Sequence, residues 1–183
     1  AWRMAGHDTI PAEVVVANDA RAIIIATATN LLRRQELTII ERGKAYKAML
    51  EAKRRQGERT DLGTSGENRQ KFLTREIVAD FFGVTEYEIR KAVKLAGLIP
   101  PLADILENDP RNLPLSCADM IADYDAASQE AFVEMCRIEG YRLNKATLNH
   151  ITQKCPPPTA DKQAIYAAWR EARTAADKKR SAP

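Results

Sequence analysis

Within ten residues the chain places Thr85, Glu86, Tyr87, Arg90, Lys91 and Lys94. An arginine guanidinium offers paired donors that match the O6 and N7 acceptors of guanine in a major groove. Lysine ammonium groups neutralise phosphates. A tyrosine reaches a phosphate oxygen or a thymine methyl. Glu86 is either an acceptor for the cytosine amino group or an acid in a helix's first turn, where the helix dipole favours negative charge. Such chemistry needs these side chains on the outer face of a single helix.

Residues 73–95 can supply that helix and its support. Thr85 followed by Glu88 is a capping box, which starts a helix. Ile89, Ala92 and Val93 recur at spacings of three and four and predict its inner face. Upstream, Ile77, Val78, Phe81 and Phe82 predict the apolar side of a shorter helix, with Ala79 small enough for a close approach. Gly83 can take the left-handed conformation that ends a helix, and Val84 would plug the corner. Two helices joined this way have the form of a helix-turn-helix, whose second helix enters the major groove. The pattern equally fits two ordinary helices meeting at a glycine, with the basic residues as a solvated face.

The remaining chain must hold this unit. Its 183 residues suffice for one compact domain or two small ones. Aromatics at 6%, eight glycines and nine prolines favour a helical core over a turn-rich sandwich or barrel. Residues 9–17 are β-branched and predict a strand. Residues 20–32, rich in Ala and Ile, predict a buried helix after an N-cap at Asn18 or Asp19. Thr38 and Glu41 form a second capping box, opening a helix to about Gln56 with Ile40, Ala45, Tyr46, Met49 and Leu50 inward. Residues 57–66 read as a loop and a boundary. Pro100 and Pro101 suit the first turn of another helix. Residues 116–124, 126–139 and 144–153 predict three more. Three prolines after Cys155 interrupt the pattern. Residues 159–177 predict an Ala-rich helix, and Lys178, Lys179 and Arg180 a basic tail. The expected fold is mainly α, a helical bundle containing a helix-turn-helix, with one short strand.

The net charge of +3 is segregated. Between residues 33 and 59, nine Lys and Arg face four Glu, whereas between 104 and 134 eight acids surround Arg111 alone. One face therefore suits a polyanion and another does not. Arg54, Arg55 and Arg59, beside the loop, are candidate phosphate contacts or a solvated helix end. His7 and His150 are far apart in sequence, short of the three or four convergent ligands a metal needs. Cys117, Cys136 and Cys155 share no metal-like spacing and have no evident base, so no catalytic residue is expected, and a reduced cytosolic setting fits best. Asp119 and Asp123 share a helical face and read as a solvated acidic edge. No apolar stretch is long enough to span a bilayer, and no signal-peptide pattern opens the chain.

Three stretches together resemble the ParB family, in particular its plasmid and conjugative-element members. Residues 5–15 are similar to the segment that follows the family's Gly-x-Arg-Arg box. Asn30, Leu31, Leu32 and Arg33, followed by Glu41, Arg42, Gly43, Lys44, Ala45 and Tyr46, are similar to the family's Glu-Asn-x-x-Arg motif and its next helix. Residues 73–95, continued by Leu98, Ile99, Pro100 and the helix near 115–121, are similar to the family's DNA-binding unit. The resemblance covers roughly residues 5–155. It implies sequence-specific binding of a centromere-like or operator-like duplex in plasmid or chromosome partition. It also implies a possible partition ATPase as partner and a nucleoid- or plasmid-associated cytoplasmic location, and a homodimer is expected because such helices usually read two half-sites. Intact relatives bind CTP, with Mg, in the N-terminal domain. Here Thr29 stands where the motif has glutamate, and the nucleotide boxes would lie before Ala1. The chain therefore reads as a fragment with no cofactor and no enzymatic activity of its own. Asn30 and Arg33 are its remaining nucleotide-binding candidates, or else a helix C-cap and a surface charge. The implied domains are residues 1–60, the end of the ParB-like N-terminal domain; 61–155, the DNA-binding domain; and 156–183, a C-terminal helix and tail. Alternative readings are a transcriptional regulator of the same fold, a CTP-dependent switch or nuclease in the intact protein, and a helical protein-interaction module.

Overall fold

The computed structural model describes residues 4, 6, 8–9, 11–12, 14–33, 37–58, 67–138 and 142–180. These residues form nine helices: α1 (Asp19–Arg33), α2 (Ile39–Glu58), α3 (Glu67–Phe82), α4 (Glu86–Leu95), α5 (Pro100–Asn108), α6 (Leu115–Ile121), α7 (Ala126–Cys136), α8 (Lys145–Lys154) and α9 (Lys162–Arg180). The mainly α class is therefore present, and local chemistry sets many of the boundaries. Thr38 Oγ1 accepts from the Glu41 N–H at 3.2 Å while the Glu41 carboxylate accepts from the Thr38 N–H at 3.1 Å, which opens α2. Asp125 and Asn144 cap α7 and α8 by accepting from the Ser128 and Thr147 N–H groups at 2.8 and 2.9 Å.

Two apolar clusters hold the helices together. Tyr46 and Met49 of α2, Val78 and Ala79 of α3, and Ile89 and Ala92 of α4 form the smaller one. The larger one gathers α5 to α9 around residues such as Leu102, Ile121, Phe132, Leu148 and Ile165. Helix α4 serves both, since its Leu95 enters the larger cluster, as does Ile40 of α2. The expected boundary near residue 60 lies outside the described residues, and α2 before it shares a core with α3 and α4 after it. Helix α9 packs into the larger cluster through Ile165, Ala168 and Trp169.

Helix α2 crosses α4 closely at Gly43. A Cβ there would sit 2.0 Å from the Ala92 carbonyl oxygen and 3.0 Å from the Ala96 Cβ. Only glycine lets the two backbones approach so closely. Just past that crossing, beyond the C-terminus of α4, the buried Gln129 fixes the link to α5. Its Oε1 accepts from the Ile99 N–H at 2.8 Å, and its Nε2 donates to the Tyr124 carbonyl at 2.8 Å and the Gly97 carbonyl at 3.3 Å. A buried amide is tolerated there because its hydrogen bonds are made.

Several sequence-based expectations need correction. No strand forms among the described residues of 9–17, and Val14 and Val16 are 92% and 93% exposed. A strand requires a neighbour to take up its backbone N–H and C=O groups, and no strand is described beside it. Helix α1 is not buried. It packs against α2, with Ile24 touching the smaller cluster and Ile25 exposed. On α3, Val78 and Ala79 face inward, whereas Ile77 and Phe81 are 52% and 50% exposed. Gly57 and Glu58, expected in a loop, complete α2, while 59–66 lie outside the described residues. Lys178, Lys179 and Arg180, expected as a tail, continue α9.

Candidate nucleic-acid interface

Between α3 and α4 the chain turns over three residues. Gly83 has φ 63°, the left-handed region that a glycine enters without steric cost. Its N–H donates to the Asp80 carbonyl at 3.3 Å, and that of Val84 to the Ala79 carbonyl at 3.1 Å, which closes α3. Val84 packs against the smaller cluster. Thr85 is extended, with φ −82° and ψ 153°, and its hydroxyl accepts from the Glu88 N–H at 3.2 Å. Glu88 Oε2 in turn accepts from the Thr85 N–H at 2.7 Å and its hydroxyl at 2.9 Å. These bonds, the backbone one foremost, hold the Glu88 carboxyl below the usual carboxylate range.

Helix α4 is two-sided. Ile89, Ala92 and Leu95 are buried. Tyr87 is 62% exposed, and the exposed Arg90 forms no ion pair with any described residue. The Lys91 ammonium leans over the Tyr87 ring, 5.9 Å from its centroid. Glu86 is half-buried in the first turn. Lys94 differs from its neighbours. Its Nζ lies 2.9 Å from Asp123 and 3.4 Å from Asp119, so it joins α4 to α6. Burial works to depress its pKa, but the hydrogen bond to Asp123 and the two nearby carboxylates together raise it. Asp119 and Asp123, expected as a solvated edge, thus flank a lysine.

Two basic residues of α2 line separate grooves. Arg54 shares one with Leu50 and Glu51 of α2 and with Thr74 and Arg75 of α3. Arg55 is exposed nearby in sequence, and Arg59 lies outside the described residues. Twelve residues earlier, or about 18 Å along the helix axis, Arg42 shares the second groove with Ile39 and Tyr46 of α2 and with Val84, Glu88, Lys91 and Ala92 of α4. Sequence reasoning did not single out Arg42, Tyr46, Thr74 and Arg75, which line these grooves. Arg42 and Tyr46 stand four apart on one face of α2, which was legible; the crossing of α4 at that point was not.

Asn30 and Arg33 fall in the last turns of α1, so Asn30 does not follow the helix as a C-cap would, and their side chains lie outside the described part. No group of three or more His, Cys, Asp or Glu side chains able to hold a metal occurs among the described residues. His150 and Lys154 both contact Glu171. The three cysteines are buried and free, and burial pushes the Cys136 thiol up to about 12. No described helix is long and apolar enough to cross a membrane. Neither a protein-family model nor a curated protein nor a solved structure matches this chain.

Proposed function

We propose that this chain binds double-stranded DNA in a sequence-specific manner, with α3, the turn at Gly83 and α4 acting as a helix-turn-helix. The observation that carries the reading is the division of α4. Ile89, Ala92 and Leu95 anchor one side, while Tyr87 and Arg90 stand exposed on the other, Arg90 without a carboxylate partner among the described residues. In this reading α4 lies in the major groove and Arg90 donates to a guanine edge. Tyr87 and Lys91 flank it, Lys91 on a phosphate. Lys94, held by Asp119 and Asp123, positions α4 rather than DNA. A homodimer reading two half-sites is the expected form. The partition role rests on the ParB resemblance of residues 5–155, and so does a partition ATPase as partner.

The test is selection from a random duplex pool near physiological salt, run in parallel with Arg90→Ala. The expected result is one defined sequence, arranged as an inverted repeat. Arg90→Ala weakens binding to it by about 1–3 kcal/mol and relaxes the preference at one position. Weak binding that enriches no sequence and vanishes as salt rises would reduce the reading to backbone attraction. No binding at all would end it.

A further inference from the structure

We infer that the groove between α2 and α4 is a phosphate subsite, in which Arg42, Lys91 and the Tyr46 hydroxyl hold one phosphodiester of the DNA backbone beside the base-reading face. The identity of the ligand rests on the duplex-binding reading above; the donor set does not.

Tyr46 carries the inference. It is only 5% exposed, and its ring is fixed against Phe82 with centroids 5.4 Å apart. Its hydroxyl lies within electrostatic reach of Arg42 and Glu88, and it makes no hydrogen bond to a described residue. No described side-chain polar atom is both sealed from solvent and unpartnered, so this hydroxyl opens onto the groove that Tyr46 lines. Burial raises its pKa, so the phenol keeps its proton and can donate.

The charges around it select the ligand class. Arg42 and Lys91 bring two cations to the groove, against Glu88 as its one acid. Glu88 is already engaged, because its Oε2 accepts two bonds from Thr85. The groove therefore offers ammonium, guanidinium and hydroxyl donors and a net positive charge, which suits an anion bearing several acceptor oxygens. A phosphodiester has that form, whereas a base edge presents donors as well as acceptors. Position agrees with chemistry. A helix in a major groove about 12 Å wide has a phosphate wall on each side. Helix α2 touches α4 at Gly43, which sets Arg42 along one wall. Near the C-terminal end of α4, α6 presents Asp119 and Asp123, which hold Lys94. The Arg42 groove is thus matched to the phosphate wall on the α2 side.

The experiment is fluorescence anisotropy at several salt concentrations with the selected duplex and a scrambled one, comparing the wild type with Arg42→Ala, Tyr46→Phe and Arg90→Ala. Arg42→Ala is expected to weaken both duplexes alike by roughly tenfold, and to make the log–log salt dependence shallower by about 0.9. Tyr46→Phe keeps the ring in its cluster and is expected to weaken both by roughly threefold. Arg90→Ala weakens only the selected duplex. A wild type that binds while Arg42→Ala leaves the salt slope unchanged overturns the subsite. If the wild type binds neither duplex, the function reading fails by itself. Inorganic phosphate is then titrated into the wild type and followed by amide NMR shifts. Shifts at Arg42, Tyr46 and Lys91 that vanish in Arg42→Ala keep the site as one for a different phosphate source, and their absence rejects it.

Discussion

Replacing Gly43 by alanine adds one methyl group where α2 lies against α4. That methyl would sit 2.0 Å from the Ala92 carbonyl oxygen and 2.6 Å from its carbon, against 3.4 Å for ordinary contact. The carbonyl cannot swing aside cheaply, because it accepts from the Ala96 N–H at 2.9 Å. Relief must come from parting the helices by about 1 Å, and a gap of that size forfeits up to about half of each van der Waals well it opens. The loss falls on Tyr46 and Met49 against Ile89 and Ala92, four of the six buried residues in the smaller cluster. Overpacking costs about 1–3 kcal/mol and occasionally more, and a backbone clash belongs at the upper end. Alanine regains about 1 kcal/mol of helix propensity. The net expectation is a loss of about 2 kcal/mol, equivalent to a drop of about 6 °C in Tm for a chain of this size. Urea unfolding measures it as a lower midpoint at unchanged slope. Gly97→Ala is the matched control, since its methyl would meet only the Lys94 carbonyl at 3.1 Å and should cost less. A Gly43→Ala protein as stable as the wild type would mean that the two helices do not touch in solution, and the groove argument would fall with them.

Acid should destabilise the fold. The Asp125 carboxyl is held below its usual range by Thr159 first and then the Ser128 N–H, that of Glu134 by Tyr166 and then Lys162, and that of Glu171 by Lys154 and then His150. Folded values below unfolded ones contribute stability that is complete above the ordinary carboxylate pKa and is lost as pH falls through the folded values. Tm should therefore be level from neutral pH down to about 5 and fall below about 4, and a Tm that climbs on acidification would contradict these pairings. Cys136, with its thiol pushed up to about 12 by burial, should resist a thiol reagent near pH 8 in the folded chain. Rapid labelling before urea is added would place that thiol at the surface instead.

The features legible from sequence were those written within four residues. The capping boxes at Thr38 and Thr85 and the left-handed Gly83 depend on neighbours three or four positions away, and the structure has all three. What failed depends on distant partners. Lys94 looked like one more outward cation because Asp119 and Asp123 come 25 and 29 residues later. Ile77 and Phe81 are spaced four apart, as are Val78 and Phe82, so spacing alone did not say which pair faces inward. Val14, Val15 and Val16 have strand-like composition, but pairing is a property of two segments. Gly43 carried no local signal, since nothing around it in sequence indicates that another backbone passes within reach.

Helix α4 gives Ile89 and Ala92 to one cluster and Leu95 to the other. This has a consequence for anyone who would re-engineer the chain. On the proposed function, α4 cannot be lifted out as an exchangeable recognition cassette, because a transplanted α4 would arrive without the glycine notch on α2 and without the carboxylates on α6 that seat it. Retargeting of the proposed DNA contact must therefore proceed by surface substitution at Glu86, Tyr87 and Arg90, with the inward positions treated as fixed. The same sharing links occupancy to integrity. If a duplex binds α4 as proposed, it is coupled to both clusters at once, so saturating DNA should raise the melting of the smaller and larger cores together, by roughly 2.7 kcal/mol at a hundredfold excess over Kd.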